Sequence, residues 1–438
     1  ACVDLAVEEL DPRRIDDVAA VAFAVPMHTA TRVALAAVEA VRGLHPDMAV
    51  CLFGLYAEAG AEALRAAGGG AAFAGEYVDD LVRWAGDLAR SPAQAGEVAT
   101  TTSLTPSASP LPLRTALPGL DRYAGLAVGD EVRTAGYVEA TRGCTQSCRH
   151  CPVPVVYRGR LRKVDPAAVL ADVDQLVEMG ARHITFGDPD FLCSPPHARR
   201  VVEALTRRHG DITFDVTTKV SHILANADLW PGFAAAGLLF VTTAVECLDD
   251  TILSLLDKGH TAADAHRAVA LLESHGIDAR PSFLPFTPWT TLDGVADILD
   301  FVLDHDMVDV VEAVQYSLRL LIPPGSLLLD LPELAAHLDG YDRDRFTWDW
   351  HAADARVDAL SRDVAAAVET AKARGDDPST TFGAVYGLVA AASGRDPGRA
   401  RTAASAPRSG RPRLTEAWFC CAEPTADQLA PAELDRRC

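Results

Sequence analysis

Apolar runs of strand length alternate with stretches of helical spacing from the start of the chain. Val18 to Val25 and Met48 to Phe53 are continuous apolar runs, and Ala71 to Ala74 is a shorter third. Between and after them, Thr29 to Gly43, Ala59 to Ala67 and Tyr77 to Arg90 repeat apolar residues three and four positions apart. This alternation predicts an α/β unit of doubly wound type over residues 1–90, with ligand-capable turns at its strand ends. Residues 91–130 break the rhythm. Thr, Ser, Ala and Pro dominate the stretch, with Pro106, Pro110, Pro112 and Pro118, which predicts an extended linker wrapped over the surface.

Strand-then-helix periodicity returns over residues 131–330. Strands are predicted at Tyr137–Thr141, His183–Gly187, Ile212–Thr217, Leu238–Val245, Asp278–Leu284 and Val310–Tyr316. Helices fill the gaps at Pro166–Met179, Ala263–His275 and Leu292–His305; Asp165 is placed to cap the first and Gly180 to stop it. Six such units argue for a parallel sheet, with chemistry at the carboxyl ends of the strands. Residues 331–438 form an extension. Tyr341, Phe346, Trp348, Trp350 and His351 crowd together there, expected to pack as a hydrophobic lid over the barrel mouth. Residues 394–413 are rich in Pro, Gly, Ser and Arg, the composition of a mobile stretch.

Composition narrows the partners. The 438 residues are 49% hydrophobic, ample for more than one core. With 61 acidic against 40 basic residues the net charge is −21, so neither nucleic acid nor an anionic membrane surface is an expected partner. No apolar run reaches the roughly 18 residues of a membrane span, and no secretory leader is read at the start; a cytoplasmic protein is expected. Ten cysteines, three in one cluster and two adjacent, suit thiols kept reduced better than a disulfide framework.

The cluster is Cys144-Thr-Gln-Ser-Cys148-Arg-His-Cys151, a Cys-x-x-x-Cys-x-x-Cys loop after a predicted strand. Three thiolates on one short loop occupy three corners of a metal site. A closed zinc site needs a fourth ligand, and no second Cys or His pair follows at suitable spacing. An open fourth position is the better reading. The motif, the preceding Gly143 and the strand leading in resemble the radical S-adenosylmethionine (SAM) superfamily. That resemblance implies an enzyme with a [4Fe-4S] cluster on Cys144, Cys148 and Cys151, bound SAM, and a partial (β/α)6 barrel. A reductase such as flavodoxin or ferredoxin, and a small-molecule substrate, are the implied partners.

Further sites follow from the resemblance. Gly187, Asp188 and Asp190 end the second strand, where the family holds the SAM amino group; the usual Gly-Gly-Glu is replaced, so the acidic side chains are free to face substrate. Glu246 stands where the family binds ribose, with Cys247 beside it as an ordinary buried residue. Gln315, Arg319 and Ile322 lie in a stretch similar to the adenine-contacting segment, Arg319 as a carboxylate clamp. Lys219, at the end of the third strand, is a second candidate for a carboxylate. The first unit looks like a cobalamin-binding domain but lacks the family's Asp-x-His-x-x-Gly. His28 is the remaining candidate ligand there, and the unit is read as vestigial, with cobalamin the unfavoured alternative.

The chain ends in Trp418-Phe-Cys420-Cys421-Ala-Glu423-Pro424 and a short acidic and basic remainder. Adjacent thiols form a disulfide only in strained geometry, but they chelate soft atoms well. The segment resembles a radical SAM subfamily named for a Cys-Cys-Ala-Glu-Pro tail, similar to the arsinothricin-forming enzymes. This implies chemistry at Cys420 and Cys421, with transfer of a 3-amino-3-carboxypropyl group to trivalent arsenic. The alternatives are a cobalamin-dependent methyl or alkyl transferase, a 5′-deoxyadenosyl-radical enzyme acting on a small molecule or peptide, and a thiol-based metal carrier or sensor.

Overall fold

The structure is a computed structural model that describes residues 2–90, 100–107, 109–399, 410–416 and 422–423. The first alternating stretch folds into a parallel sheet of β1 (Ala20–Ala24), β2 (Ala49–Phe53), β3 (Ala71–Gly75) and β4 (Thr100–Ser103), in that order. Helices α1 (His28–Leu44), α2 (Ala57–Ala66) and α3 (Val78–Arg90) connect them or follow them. Period-two alternation divides the faces. Val50, Leu52, Ala72 and Ala74 pack with α1 and α2, while Cys51, Ala71 and Phe73 pack with Leu81 and Trp84 of α3.

Two expectations change here. Strand β4 comes from the stretch read as linker, because its Thr-rich sequence carries β-branched side chains without an apolar signal. The strand order also runs without the reversal of a doubly wound sheet, so the sheet has no topological switch point.

The second sheet has seven strands. β5 (Gly125–Val128) and β6 (Glu131–Val138) form a hairpin, and β9 (His183–Phe186), β10 (Thr213–Thr217), β11 (Leu238–Glu246) and β12 (Asp278–Phe283) continue parallel from β6. β7 (Thr141–Gly143) and β8 (Leu161–Lys163) form a separate antiparallel pair, and β15 (Arg413–Leu414) caps the β5 edge. The expected sixth barrel strand, Val310–Tyr316, is absent. Val310 and Val311 are buried core residues, and Ala313–Tyr316 is a 3₁₀ turn; apolarity alone does not separate strand from core loop. A single parallel bridge between Phe286 and Arg319 takes the sixth position instead. The helix Pro166–Glu178 that follows β8 is capped as its sequence predicts, Asp165 accepting from the Ala167 N–H at 2.8 Å.

The aromatic stretch of the extension forms a hairpin of β13 (Leu338–Asp342) and β14 (Thr347–Trp350). It lies on the segment that closes the barrel. The Trp348 N–H donates to the Ile322 carbonyl at 2.9 Å and the Trp350 indole N–H to the Leu320 carbonyl at 2.9 Å. Helices Ala355–Arg374 and Pro378–Ser393 pair behind it. Among the described residues no helix is long and apolar enough to cross a membrane. Cys420, Cys421 and residues 400–409 lie outside the described residues.

Candidate functional site

The short β7–β8 pair holds both ends of the cysteine loop. Gly143 enters it at φ +75°, and a Cβ there would sit 2.3 Å from the Arg160 carbonyl oxygen, so only glycine fits. The middle of the loop is stitched to the turn after the β11 strand and its helix. The Arg149 N–H donates to Leu256 O at 3.0 Å, its guanidinium to Ser254 O and Leu255 O at 3.1 and 2.7 Å, and the Ser147 hydroxyl to Asp257 at 2.5 Å. Cys144 and Cys148 are thereby buried and Cys151 half-buried. Beyond Cys151, α4 (Pro152–Tyr157) packs into the same apolar cluster as Val25, Leu52 and Ala74 of the first sheet.

Lys219, only 9% exposed, reaches this loop. Its ammonium lies 3.1 Å from Gln146 Oε1 and 3.4 Å from Cys148 Sγ. Among the described residues no carboxylate stands within salt-bridge distance of it, and a buried ammonium without an anion is strongly destabilising. Asp190 ties the neighbouring strand end together. It accepts from the Thr218 hydroxyl at 2.6 Å and the Leu192 N–H at 3.1 Å, and lies 2.7 Å from His222 Nδ1. That bond raises the His222 pKa, and His222 in turn stands 3.4 Å from Gln146. Cys193 Sγ is 3.5 Å from Cys144 Sγ.

On the other side of the loop, His150 and Lys258 converge on Glu246. His150 Nε2 is 3.0 Å and Lys258 Nζ 2.9 Å from Glu246 Oε1, and all three residues are buried. Burial alone would push the Glu246 carboxyl up, but Lys258 and His150 pull it well below the ordinary range. Glu246 sits at φ +66°, a left-handed conformation that a non-glycine residue holds only when its surroundings over-determine it. Glu246→Ala leaves Lys258 buried and unpaired. We expect a loss of about 3–5 kcal/mol in urea unfolding, much more than for the paired change Lys258→Met with Glu246→Gln.

The remaining expected residues serve the frame. A Cβ on Gly187 would fall 1.9 Å from the Tyr137 ring, so glycine is required for that close approach. Asp188 faces the strand that leads into the cysteines rather than a ligand, accepting from the Thr141 hydroxyl at 2.5 Å and the Ala140 N–H at 3.0 Å. Burial raises its pKa to about 7 against those hydrogen bonds. The native state then keeps a proton that the unfolded chain has lost, so this stabilisation is complete below about pH 4 and fades towards pH 7. Asp188→Asn should flatten that slope in unfolding midpoints measured across the window.

Gln315, Arg319 and Ile322 are likewise engaged within the protein. Gln315 accepts from the Phe283 N–H at 3.0 Å, and Ile322 is fully buried under the hairpin. Arg319 does not present the free carboxylate clamp that its sequence position suggests. Its fork takes Asp358 at 3.1 Å and Trp350 O at 3.2 Å, stacked 4.0 Å over the Trp350 ring. Sequence reasoning missed Lys258, His222 and Cys193, which no motif marks, and the side chain of His150, whose place inside the cysteine motif was the available signal.

A cavity of about 950 Å³ opens between the two sheets' domains. Arg32, Tyr56 and Arg65 line it from the first domain, and His150, Cys151 and Ser326 from the barrel.

Residues 138–302 match the Radical SAM superfamily model. The chain carries a radical SAM domain. Over 150 residues it is 27% identical to the anaerobic magnesium-protoporphyrin IX monomethyl ester cyclase of Rubrivivax gelatinosus, covering 33% of this chain and 26% of the cyclase. A 65-residue stretch is 40% identical to the tRNA-2-methylthio-N(6)-dimethylallyladenosine synthase of Chlorobium chlorochromatii, 15% of this chain and 14% of the synthase. Among solved structures, the cobalamin-dependent radical enzyme OxsB, with aqua-cobalamin and SAM bound, matches at TM-score 0.61 and 15% identity, over 80% of this chain and 58% of OxsB. The methyltransferase TsrM from Kitasatospora setae matches at TM-score 0.50 and 16% identity, over 67% of this chain and 61% of TsrM. The chain thus spans about a quarter of the cyclase and under two thirds of either solved neighbour. These likenesses give the radical SAM domain its partial barrel and the chain its Rossmann-like first domain.

A radical SAM domain implies an enzyme with a [4Fe-4S] cluster and SAM, and the residues present fit the cluster. Among the described residues, the one trio of ligand atoms within 4.8 Å of one another is Cys144, Asp190 and Cys193. The three motif sulfurs therefore do not all lie within 4.8 Å of one another, whereas a tetrahedral zinc with about 2.3 Å bonds would hold every pair about 3.8 Å apart. The unpaired Lys219 ammonium supplies the second sign, since a thiolate-bound cluster is an anion.

A corrinoid fits less well. The carboxyl end of β3 is covered by α4: Tyr157 Oη lies 3.5 Å from Gly75 O and 3.2 Å from Glu76, and Arg142 stands 3.7 Å from Glu76, while Tyr56, after β2, lines the interdomain cavity. His28 lies under the extension's hairpin with Nε2 3.3 Å from Phe346 O, and burial holds its pKa down to about 4.

Proposed function

We propose that the chain is a radical SAM transferase whose tail thiols, Cys420 and Cys421, present the acceptor. The acceptor is trivalent arsenic, and the group transferred is the 3-amino-3-carboxypropyl arm of SAM. One observation carries this reading. Ala422 is buried and bridges Leu320 in antiparallel sense, and the Glu423 N–H donates to Arg319 O at 3.0 Å. These residues directly follow the vicinal cysteines, and Arg319–Leu320 belongs to the segment that closes the barrel. Burial pushes the Glu423 carboxyl up, offset by Arg319, Arg345 and Arg32, and Arg32 also lines the interdomain cavity.

When bound, the cluster and SAM supply a carbon-centred radical. In this reading Cys144, Cys148 and Cys151 hold the cluster. Lys219 and Asp190 border it, Glu246 keeps an oxygen for the SAM ribose, and the hairpin excludes water from the closed side. Two adjacent thiolates grip a soft centre such as As(III). Electrons come from a small reductase of the flavodoxin or ferredoxin type.

The experiment is anaerobic reconstitution with dithionite and SAM, followed by mass spectrometry of the SAM fragments. Methylthioadenosine formed only with arsenite present is the expected result; 5′-deoxyadenosine alone defeats the proposal. A second reading, a cobalamin-dependent methyl or alkyl transferase, is favoured by the fold shared with OxsB and TsrM. Corrinoid absorbance in the purified or cobalamin-incubated protein would support that reading.

A further inference from the structure

We propose that Lys219 and Lys258 form a cationic wall behind the cysteine loop and raise the reduction potential of the cluster bound there. The inference rests on the cluster assignment and is independent of the acceptor.

Both lysines are buried, at 9% and 3% exposure, and they approach the loop from different barrel strands. Lys219 follows β10 and places its ammonium 3.4 Å from Cys148 Sγ. Lys258 belongs to the turn that the loop itself grips, through Arg149 to Ser254, Leu255 and Leu256 and through Ser147 to Asp257. The backbone of that turn is left-handed on either side of Lys258, with φ of +55° at Asp257 and +70° at Gly259. The Lys219 ammonium reaches the same turn, since a Cβ on Gly259, the residue after Lys258, would lie 4.0 Å from Lys219 Nζ.

Their counter-charges are unequal. Lys258 has Glu246 at 2.9 Å, whereas among the described residues Lys219 has the Gln146 amide oxygen and the Cys148 sulfur and no carboxylate. A cubane core with three thiolates is a monoanion when oxidised and a dianion after one electron is added. Fixed cations in a site of low dielectric stabilise the dianion more than the monoanion, and an N–H donated to a ligand sulfur acts in the same direction. An electron from a weak biological donor is then accepted more readily. Position, not titration, does this, because both ammonium groups are held by geometry.

The test is the midpoint potential of the reconstituted full-length protein, followed by EPR in the absence of SAM. Lys219→Gln keeps a hydrogen-bond donor at the sulfur and removes the charge; the midpoint should fall by at least about 59 mV, the tenfold change for a one-electron couple. Lys219→Arg should restore it. Lys258→Met combined with Glu246→Gln removes one charge of each sign, so its shift should be smaller than that of Lys219→Gln. A midpoint unchanged from wild type in Lys219→Gln overturns the proposal. If Lys219→Gln loads too little cluster to titrate, Lys219→Met is titrated in its place by the same criterion. A structural role alone would change cluster loading or stability and leave the midpoint of the loaded fraction where it was.

Discussion

Alanine at Cys144, Cys148 or Cys151 is expected to reduce cluster loading to background and SAM cleavage with it, while the chain stays folded. In the proposed assignment each thiolate holds one corner of the cluster, and two corners would not retain it under turnover. The fold survives because the loop is held by other bonds: Arg149 and Ser147 to the turn at 254–257, and the β7–β8 pair at its ends. Cys148→Ala should be the least stable of the three, since it also takes the sulfur from Lys219. Cys193→Ala is the matched control. Its sulfur is 3.5 Å from Cys144, but it lies outside the motif, and cluster iron and sulfide should remain near wild type. Stoichiometric iron in any of the motif variants would remove that cysteine from the ligand set.

Cys421→Ala should abolish arsenic-containing product yet leave the visible spectrum of the cluster unchanged. The two effects separate because the cluster loop and the tail are held by different contacts. The loop is fastened to β7, β8 and the 254–258 turn, whereas the tail residues that follow Cys421 are fastened to Arg319 and Leu320. Cys420→Ala is expected to weaken arsenite binding as well, because a chelate loses most of its advantage when one of its two donors is removed. Iron content and product are measured on the same sample. Loss of iron in Cys421→Ala would show that the tail belongs to the cluster site and would end the division of labour proposed for it.

Much of the frame is legible from periodicity. The strands β1, β2, β3 and β11 are marked by apolar runs and β9, β10 and β12 by apolar–polar alternation, and the Asp165-Pro166 start and Gly180 stop bound a helix within a residue or two. Two elements escape periodicity for opposite reasons. β4 is a strand without apolar residues, and Val310–Tyr316 is an apolar stretch without a strand; both owe their conformation to neighbours distant in sequence.

The candidate site divides in the same way. Cys144, Cys148 and Cys151 can be recognised because a ligand loop is local: three donors of one chemistry at fixed spacing carry their meaning wherever the loop is placed. The partners of those cysteines are not local. Lys219 is 71 residues from Cys148, and Glu246 is 96 from His150. No pattern in either segment announces the pairing. Arg319 has the chemistry of a ligand clamp, but Asp358 and Trp350 occupy its fork. By itself, then, the sequence determined the type of metal chemistry and the class of the barrel, since both rest on spacing and periodicity. Only the tertiary structure decided which charges surround the cysteine loop, which expected site residues also brace the fold, and where Ala422 and Glu423 dock. Those depend on burial and Coulombic distance, which exist only once remote segments have been packed together.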